Sequence, residues 1–118
     1  MDYIVVESRG RGAYDITTEL ARYVKERGLR SCLLLVWVED PLTSLVTVEY
    51  EAGLIADLGE LIERLPGESP YVKNALFPKT LAIPVVNGSL ALGSFQQVAL
   101  LDLNSEPGAR RVGVLEVR

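Results

Sequence analysis

A chain of 118 residues has the length of one domain, residues 1–118, and its 48% apolar and 24% charged residues indicate a packed core rather than disorder. Its formal net charge of −4 and the lack of a basic block argue against a nucleic-acid partner, because phosphate backbones are bound by clustered Lys and Arg. With no histidine and one cysteine, Cys32, the chain has no imidazole catalyst, no histidine-ligated zinc, no thiolate cluster and no intramolecular disulfide.

The first third of the chain predicts a strand followed by a helix. Residues 3–7 have the alternation of a strand, and Gly10 and Gly12 then interrupt it. Asp15 is well placed to cap a helix at its N-terminus, and Gly28 to end that helix in the left-handed conformation. Between them, residues at helical spacing form one face: Ile16, Leu20, Tyr23, Val24 and Arg27.

The middle of the chain predicts two strands and a second helix. Residues 31–38 are apolar almost throughout, which favours a central strand covered on both faces. Asp40 and Pro41 predict a turn, and residues 44–49 predict the next strand. Residues 51–65 predict a helix with one leucine stripe, flanked by Ile55 and Ile62: Leu54, Leu58, Leu61 and Leu65.

The last third predicts a loop and four short strands. Residues 66–70 contain two prolines and a glycine and indicate the loop. Asn87 and Gly88, between residues 81–86 and 89–92, predict a hairpin, because both turn residues take positive φ. A strand, a turn and a final strand follow at residues 95–103, 104–108 and 111–117. The order β-α-β-β-α-β-β-β-β indicates an α+β fold with two helices and mostly antiparallel sheets.

Two stretches of the sequence contain distinctive motifs. Residues 80–98 place aliphatic residues, a turn glycine and a Gly-Ser-Phe-Gln box at fixed spacing: Ile83, Val85, Gly88, Gly93, Gln96 and Val98. Residues 8–17 place a Gly-x-Gly ahead of Asp-Ile-Thr: Gly10, Gly12, Asp15, Ile16 and Thr17. In this order and spacing the two stretches resemble the YjbQ-like family, with Thr80, Ser94 and Phe95 as mild departures from its Ser, Thr and Trp.

The resemblance implies a YjbQ-like fold, usually assembled as a trimer, and a link to thiamine-phosphate synthase side activity, which is that of a transferase. Where the family has His-Thr-Thr, this chain has Asp-Pro-Leu at residues 40–42, and the family's Asn-Glu pair is Val-Glu at residues 48–49. The family's histidine-bearing loop is shortened to residues 71–73. We therefore expect an oligomeric protein without the histidine-dependent activity, and any other enzymatic activity is an open question.

Arg9, Arg11 and Lys73 are candidates for binding a small phosphorylated ligand. The glycines beside the arginines let backbone N–H groups converge ahead of a helix, where a phosphate is favoured. The alternative is a turn with solvated arginines and an ordinary surface lysine. If these residues do bind phosphate, the alternative function is that of an enzyme or binding protein for a phosphorylated metabolite, which uses Arg11, Lys73 and carboxylates.

Asp40 and Glu49 are candidate catalytic carboxylates, because they flank a predicted hairpin and could approach each other. Such a pair could perform acid–base catalysis or bind Mg²⁺, although most such charges are solvated turn residues. Ser94 and Gln96, which follow Gly93, could bind a ligand or a neighbouring subunit, or could satisfy local backbone groups at a bulge. We expect neither a metal nor a cofactor.

Composition also predicts partners and compartment. A small chain with this apolar content favours self-association as a homotrimer, with residues 111–117 and 93–103 as candidate contact strands. The longest apolar run, residues 32–38, is too short to cross a bilayer, and the N-terminus lacks the features of a signal peptide, so we expect a cytoplasmic protein with no membrane partner. Scarce Met, Cys, Gln and Asn suggest a thermophile, although a GC-rich genome also produces the bias of Arg over Lys.

Overall fold

The chain folds into two antiparallel sheets and three helices, as seen in a computed structural model that describes residues 1–118. The strands are β1 (Asp2–Ser8), β2 (Gly12–Asp15), β3 (Ser31–Val38), β4 (Thr43–Val48), β5 (Thr80–Val86), β6 (Ser89–Leu90), β7 (Gln97–Asp102) and β8 (Gly108–Val117). The helices are α1 (Thr17–Glu26), α2 (Ala52–Arg64) and α3 (Pro70–Asn74). The α+β class and the order of the predicted elements are confirmed, while two short elements, β2 and α3, were not predicted.

The larger sheet has the strand order β1-β8-β3-β5-β6, and all its neighbouring strands are antiparallel. Alternate residues of β3 enter the core, where Leu34, Val36 and Val38 are buried. On the other face, Trp37 lies over Gly113 of β8, and a Cβ at Gly113 would stand 2.2 Å from the indole ring. Because Gly113 has no side chain, the Trp37 indole can lie directly over the β8 backbone.

Within the single chain the larger sheet is covered on one face only, so the chain's own elements do not give residues 31–38 the predicted cover on both faces. Leu33 of β3, Val5 of β1 and Val86 of β5 are exposed on the outer face. Antiparallel sheets commonly keep one face open in this way. The continuous apolar run of β3 thus reflects a core face and an apolar outer face, and no second covering layer.

The smaller sheet has the strand order β2-β7-β4. Its central strand β7 is paired on both edges and is buried from Val98 to Asp102. Leu20 and Val24 of α1 join side chains of both sheets in the main core. Because β7 is enclosed, it cannot serve as an intersubunit contact, and that part of the prediction for residues 93–103 is wrong.

The first helix begins at Thr17, later than the predicted cap allows, and Asp15 belongs to β2. The Asp15 carboxylate accepts a hydrogen bond from the Thr17 N–H at 2.9 Å, although Ile16 occupies the N-cap position. Asp15 therefore holds the turn into the helix without being its cap. Gly28 has a φ of +61°, which confirms the predicted left-handed end.

The second helix is rotated relative to the prediction, so that one edge of its apolar face, and not the whole leucine stripe, packs against the smaller sheet. Ile62, predicted to flank the stripe, is buried, and Leu58 packs beside it. Of the four leucines, Leu54 and Leu61 are exposed, so only half of the stripe faces the protein. Helical spacing identifies an apolar face but not which edge of it meets the sheet. No helix of the structure is long and apolar enough to cross a membrane.

The segment before β7 forms two turns. Asn87 and Gly88 have φ values of 51° and 79°, which confirms the predicted hairpin turn between β5 and β6. The predicted strand from residue 95 begins instead at Gln97, because the Gln96 N–H donates to the Gly93 carbonyl at 3.0 Å and closes a turn. Phe95, in this turn, is exposed and has a φ of 59°.

Candidate functional site

Asp102, at the end of β7, is a fully buried carboxylate that organises one end of the smaller sheet. It accepts hydrogen bonds from Ser8 Oγ at 2.6 Å and from Arg110 Nε at 2.8 Å. Asn104 donates to the other carboxylate oxygen through its backbone N–H at 2.9 Å and its side-chain amide at 2.7 Å. Both oxygens are therefore satisfied and the charge is paired, as burial of a carboxylate requires.

The loop between β1 and β2 is held from within the protein by Tyr14. The Tyr14 hydroxyl donates to the Gly10 carbonyl at 2.7 Å and accepts from the Arg9 N–H at 2.9 Å, while the Gly10 N–H donates to Ser8 Oγ at 3.0 Å. Gly10 has a φ of 107°, and a Cβ there would stand 2.8 Å from the Ser105 carbonyl oxygen. Two loop N–H groups are thus already bonded, so an anion at this loop would rely on the arginine side chains.

Arg11 and Lys73, predicted as ligand-binding residues, come together beside the C-terminal end of α2. Arg11 Nη1 pairs with Glu63 Oε1 at 2.9 Å, and Lys73 Nζ donates to the Glu63 backbone carbonyl at 3.3 Å. The two cationic side chains line one small cavity together with Glu68. Arg9 is exposed on the same loop as Arg11. Of the predicted ligand-binding residues, Arg11 and Lys73 therefore come together, with the Glu63 carboxylate in the position that an anion would take at Arg11.

Asp40 and Glu49, the predicted carboxylate pair, lie at opposite ends of β4. β3 pairs with β5 and β8, whereas β4 pairs with β7, so the turn at Asp40 connects the two sheets and forms no hairpin. Six strand residues separate the two carboxylates, a span of about 20 Å. They cannot share a proton or a metal ion, and the chain has no group of three or more Asp, Glu or Cys residues that could hold one.

Glu49 and Gln96 lie just beyond the last pair of the β4–β7 ladder, which joins Val48 to Gln97. Gln96 borders a cavity of about 230 Å³ beside β5, and Ser94 is exposed in the preceding turn. The neighbouring Gln97 accepts a hydrogen bond from a backbone N–H at 2.7 Å. Three of the predicted residues therefore lie near one another, at the end of the sheet opposite to Arg11.

The segment after Asp40 is held by two side chains that the sequence did not single out. Asn74 Nδ2 donates to the carbonyls of Pro41 at 2.8 Å and Thr43 at 3.0 Å, and Lys79 Nζ also donates to the Thr43 carbonyl. Burial lowers the pKa of Lys79, and the negative charge of Asp40 opposes that shift. These contacts fix the crossing between the two sheets.

The Asp102 network was also missed by sequence reasoning. Ser8 and Asp102 are 94 positions apart, and only the pairing of strands across both sheets brings them together. The one available signal was a carboxylate at the end of an otherwise apolar run, in residues 98–102. A buried carboxylate at the end of a central strand requires donors, which Arg110 and Asn104 supply.

Relatives with similar sequences share one description. The family described as "UPF0047 protein YjbQ-like" matches residues 2–117. A UPF0047 protein of Archaeoglobus fulgidus is 32% identical over 111 residues, which cover 83% of this chain and 85% of that protein. A UPF0047 protein of Methanothermobacter thermautotrophicus is 26% identical over 113 residues, which cover 85% of this chain and 78% of that protein.

Solved structures show the same fold at lower sequence identity. A hypothetical protein from Aeropyrum pernix K1 has a TM-score of 0.90 at 24% identity, covering 98% of this chain and 96% of its own. An uncharacterised conserved protein of the yjbq/upf0047 family from Clostridium acetobutylicum has a TM-score of 0.90 at 18% identity, covering 99% of this chain and 100% of its own. With its sequence matched over almost its whole length, this chain belongs to the YjbQ-like UPF0047 family.

Proposed function

We propose that this protein is a self-associating binding or structural member of the family that lacks the histidine-dependent, thiamine-phosphate synthase-like activity. The observation that carries the proposal is the open apolar face of the larger sheet. Leu33 lies on the central strand of this face, near its end, between Val117 of β8 and Pro84 of β5. Exposed apolar patches of this kind mark contacts with other proteins.

The total surface of the chain supports self-association. The chain exposes 6867 Å². A compact monomer of 12.9 kDa exposes about 6,300 Å². The excess is surface that further copies can bury, and the outer residues of β8, a predicted contact strand, belong to the open face. The expected number of three copies comes from the family resemblance.

Light scattering on untagged protein tests the self-association. We expect a mass of about 39 kDa, three times the 12.9 kDa of the chain. Leu33→Asp places a charge on the open face, where Leu33 is 40% exposed, and should shift the mass toward that of the single chain without unfolding it. Leu76→Asp, at an exposed leucine after α3, is the matched control and should leave the mass unchanged.

A mass of 12.9 kDa for the wild type at micromolar concentration contradicts self-association. A dimer mass contradicts only the expected number of three copies and leaves self-association standing. If Leu76→Asp dissociates the protein and Leu33→Asp does not, the contact lies at α3 and the open face is not the interface.

The absence of histidine is the chemical argument against the family's activity. Without imidazole, proton transfer near neutral pH requires a carboxylate, lysine or tyrosine with an altered pKa. The carboxylates Asp40 and Glu49 are too far apart to act together, and Tyr71, in α3, is exposed. Lys79, whose pKa is lowered by burial, donates to the Thr43 carbonyl and holds the crossing between the sheets. The single cysteine fits a reducing cytoplasm, and the scarcity of Met, Cys, Gln and Asn fits a heat-adapted source.

A second candidate function is the binding of a small phosphorylated molecule at Arg11 and Lys73. The observation that favours it is the approach of both cations to Glu63. The side chains of Arg11 and Glu63 are 51% and 62% exposed, so their pair is weak and can be exchanged for a ligand. A thermal-shift screen of phosphate esters tests this, because a ligand at a hundred times Kd stabilises by about 2.7 kcal/mol. No shift with any ester, or an equal shift in Arg11→Gln, contradicts it.

A further inference from the structure

An apolar cavity of about 260 Å³ lies between α2 and the smaller sheet. Aliphatic side chains form most of its wall: Ile55, Leu58, Ile62, Leu101 and Leu103. Gly59 faces this space from the helix, and a Cβ there would have no heavy atom within 4 Å. Gly12 and Ala13 of β2 are the small residues that line it from the sheet. A cavity with such walls accepts small apolar groups.

The cavity adjoins the cationic cluster. Arg11 and Glu63 line both the apolar cavity and the smaller space, of about 30 Å³, that Lys73 also lines. That smaller space is about the volume of one water molecule. The Glu63 carboxylate stands where an anion would pair with Arg11, whereas Lys73 contacts only the Glu63 backbone carbonyl, so a ligand must displace the carboxylate from Arg11 alone.

We propose that the ligand of this site is a phosphate monoester with a small, apolar organic group. The phosphate replaces the Glu63 carboxylate at Arg11 and meets Lys73 across the small space that both cations line, and the organic group enters the cavity between α2 and the smaller sheet. The proposal rests on the second candidate function and narrows its ligand class. The cavity volume lies below the roughly 300–1,000 Å³ of drug-sized sites, which limits the organic group to about one ring.

The two parts of the site are separable by substitution. Gly59→Leu fills the cavity and removes a glycine from a helix interior, so the variant should fold at least as well as the wild type. Arg11→Gln removes a cation and leaves the aliphatic wall of the cavity unchanged. Glu63→Gln removes the competing carboxylate. Glu60→Gln is the matched control, because Glu60 pairs with Arg64 and does not line either space.

Calorimetric titration of the full chain with phenyl phosphate, inorganic phosphate and phenol tests the proposal. Phenyl phosphate should bind about tenfold or more tightly than inorganic phosphate, because ring burial adds to the ionic contact. Gly59→Leu should remove this advantage and leave inorganic phosphate unaffected. Arg11→Gln should weaken both anions, Glu63→Gln should strengthen both, and Glu60→Gln should change neither.

Three results would overturn the inference. Equal affinities for phenyl phosphate and inorganic phosphate, both dependent on Arg11, would remove the cavity from the site and leave the phosphate candidate standing. The second result is that phenyl phosphate binds Gly59→Leu as tightly as it binds the wild type, with circular dichroism showing that the variant is folded. This result would likewise remove the cavity from the site and leave the phosphate candidate standing. Absence of binding by either anion at millimolar concentration would overturn both the inference and the second candidate function.

Discussion

Replacing Arg110 by methionine tests the buried network around Asp102. Asp102 is fully buried and the side chain of Arg110 is only 10% exposed, so the substitution leaves a carboxylate in the interior without its cation. Breaking a buried ion pair in this way costs about 3–5 kcal/mol. Ser8 and Asn104 still donate to Asp102, so we expect the lower end of that range.

The loss is measurable by urea denaturation followed by circular dichroism, at one protein concentration because association also contributes to stability. A loss of about 3 kcal/mol corresponds to a fall in Tm of about 10–15 °C for a domain of this size. Arg64→Met is the control, because the Arg64–Glu60 pair is exposed and should cost less than about 1 kcal/mol.

A second substitution separates the lost charge from lost packing. Asp102→Asn in the Arg110→Met background removes the unpaired charge and keeps a side chain of similar size, so it should recover part of the stability. A loss below about 1 kcal/mol for Arg110→Met, or no recovery on adding Asp102→Asn, would refute the argument that Arg110 is needed to balance Asp102.

Three further outcomes are expected. Gly113→Ala should cost about 1–3 kcal/mol in urea denaturation and alter the fluorescence of Trp37, since a Cβ stands 2.2 Å from its ring; an unchanged midpoint contradicts this. Backbone N–H groups of α2 bond to the Glu51 carboxylate and hold its pKa below the usual 4.5. The ionised carboxylate therefore stabilises the fold above pH 4.5, and this stabilisation is lost as the pH falls through the lowered pKa. The Tm of Glu51→Gln should therefore lie below that of the wild type at pH 7 and approach it in acid, and an equal gap at both pH values contradicts the cap. Elemental analysis of untagged protein should find no zinc, and one zinc per chain overturns that expectation.

Local signals in the sequence were enough for most of the fold. The Asn87-Gly88 turn, the left-handed Gly28 and the apolar run of β3 each depend on residues that are close in sequence, and each element formed where it was predicted. The short strand β2 was missed because its flanking glycines suggest a loop, and only pairing with β7 makes it a strand. The inward edge of α2 was also unpredictable, because it depends on where the sheet lies.

The candidate site was only partly predictable for the same reason. Arg11 and Lys73 were identified separately, and their approach depends on how α2 and α3 lie against the β1–β2 loop. Asp40 and Glu49 were expected to meet because a hairpin was assumed, and the crossing of the chain between sheets separates them. The long-range contacts of Asp102 left almost no local trace.

An assay for thiamine-phosphate synthesis by the untagged wild-type protein tests the central claim most directly. A histidine-bearing YjbQ-like protein, measured in parallel, is the positive control. We predict product no faster than in the reaction without protein, because this chain has no imidazole and its candidate carboxylates lie at opposite ends of β4. A rate comparable with that of the histidine-bearing relative would contradict the account.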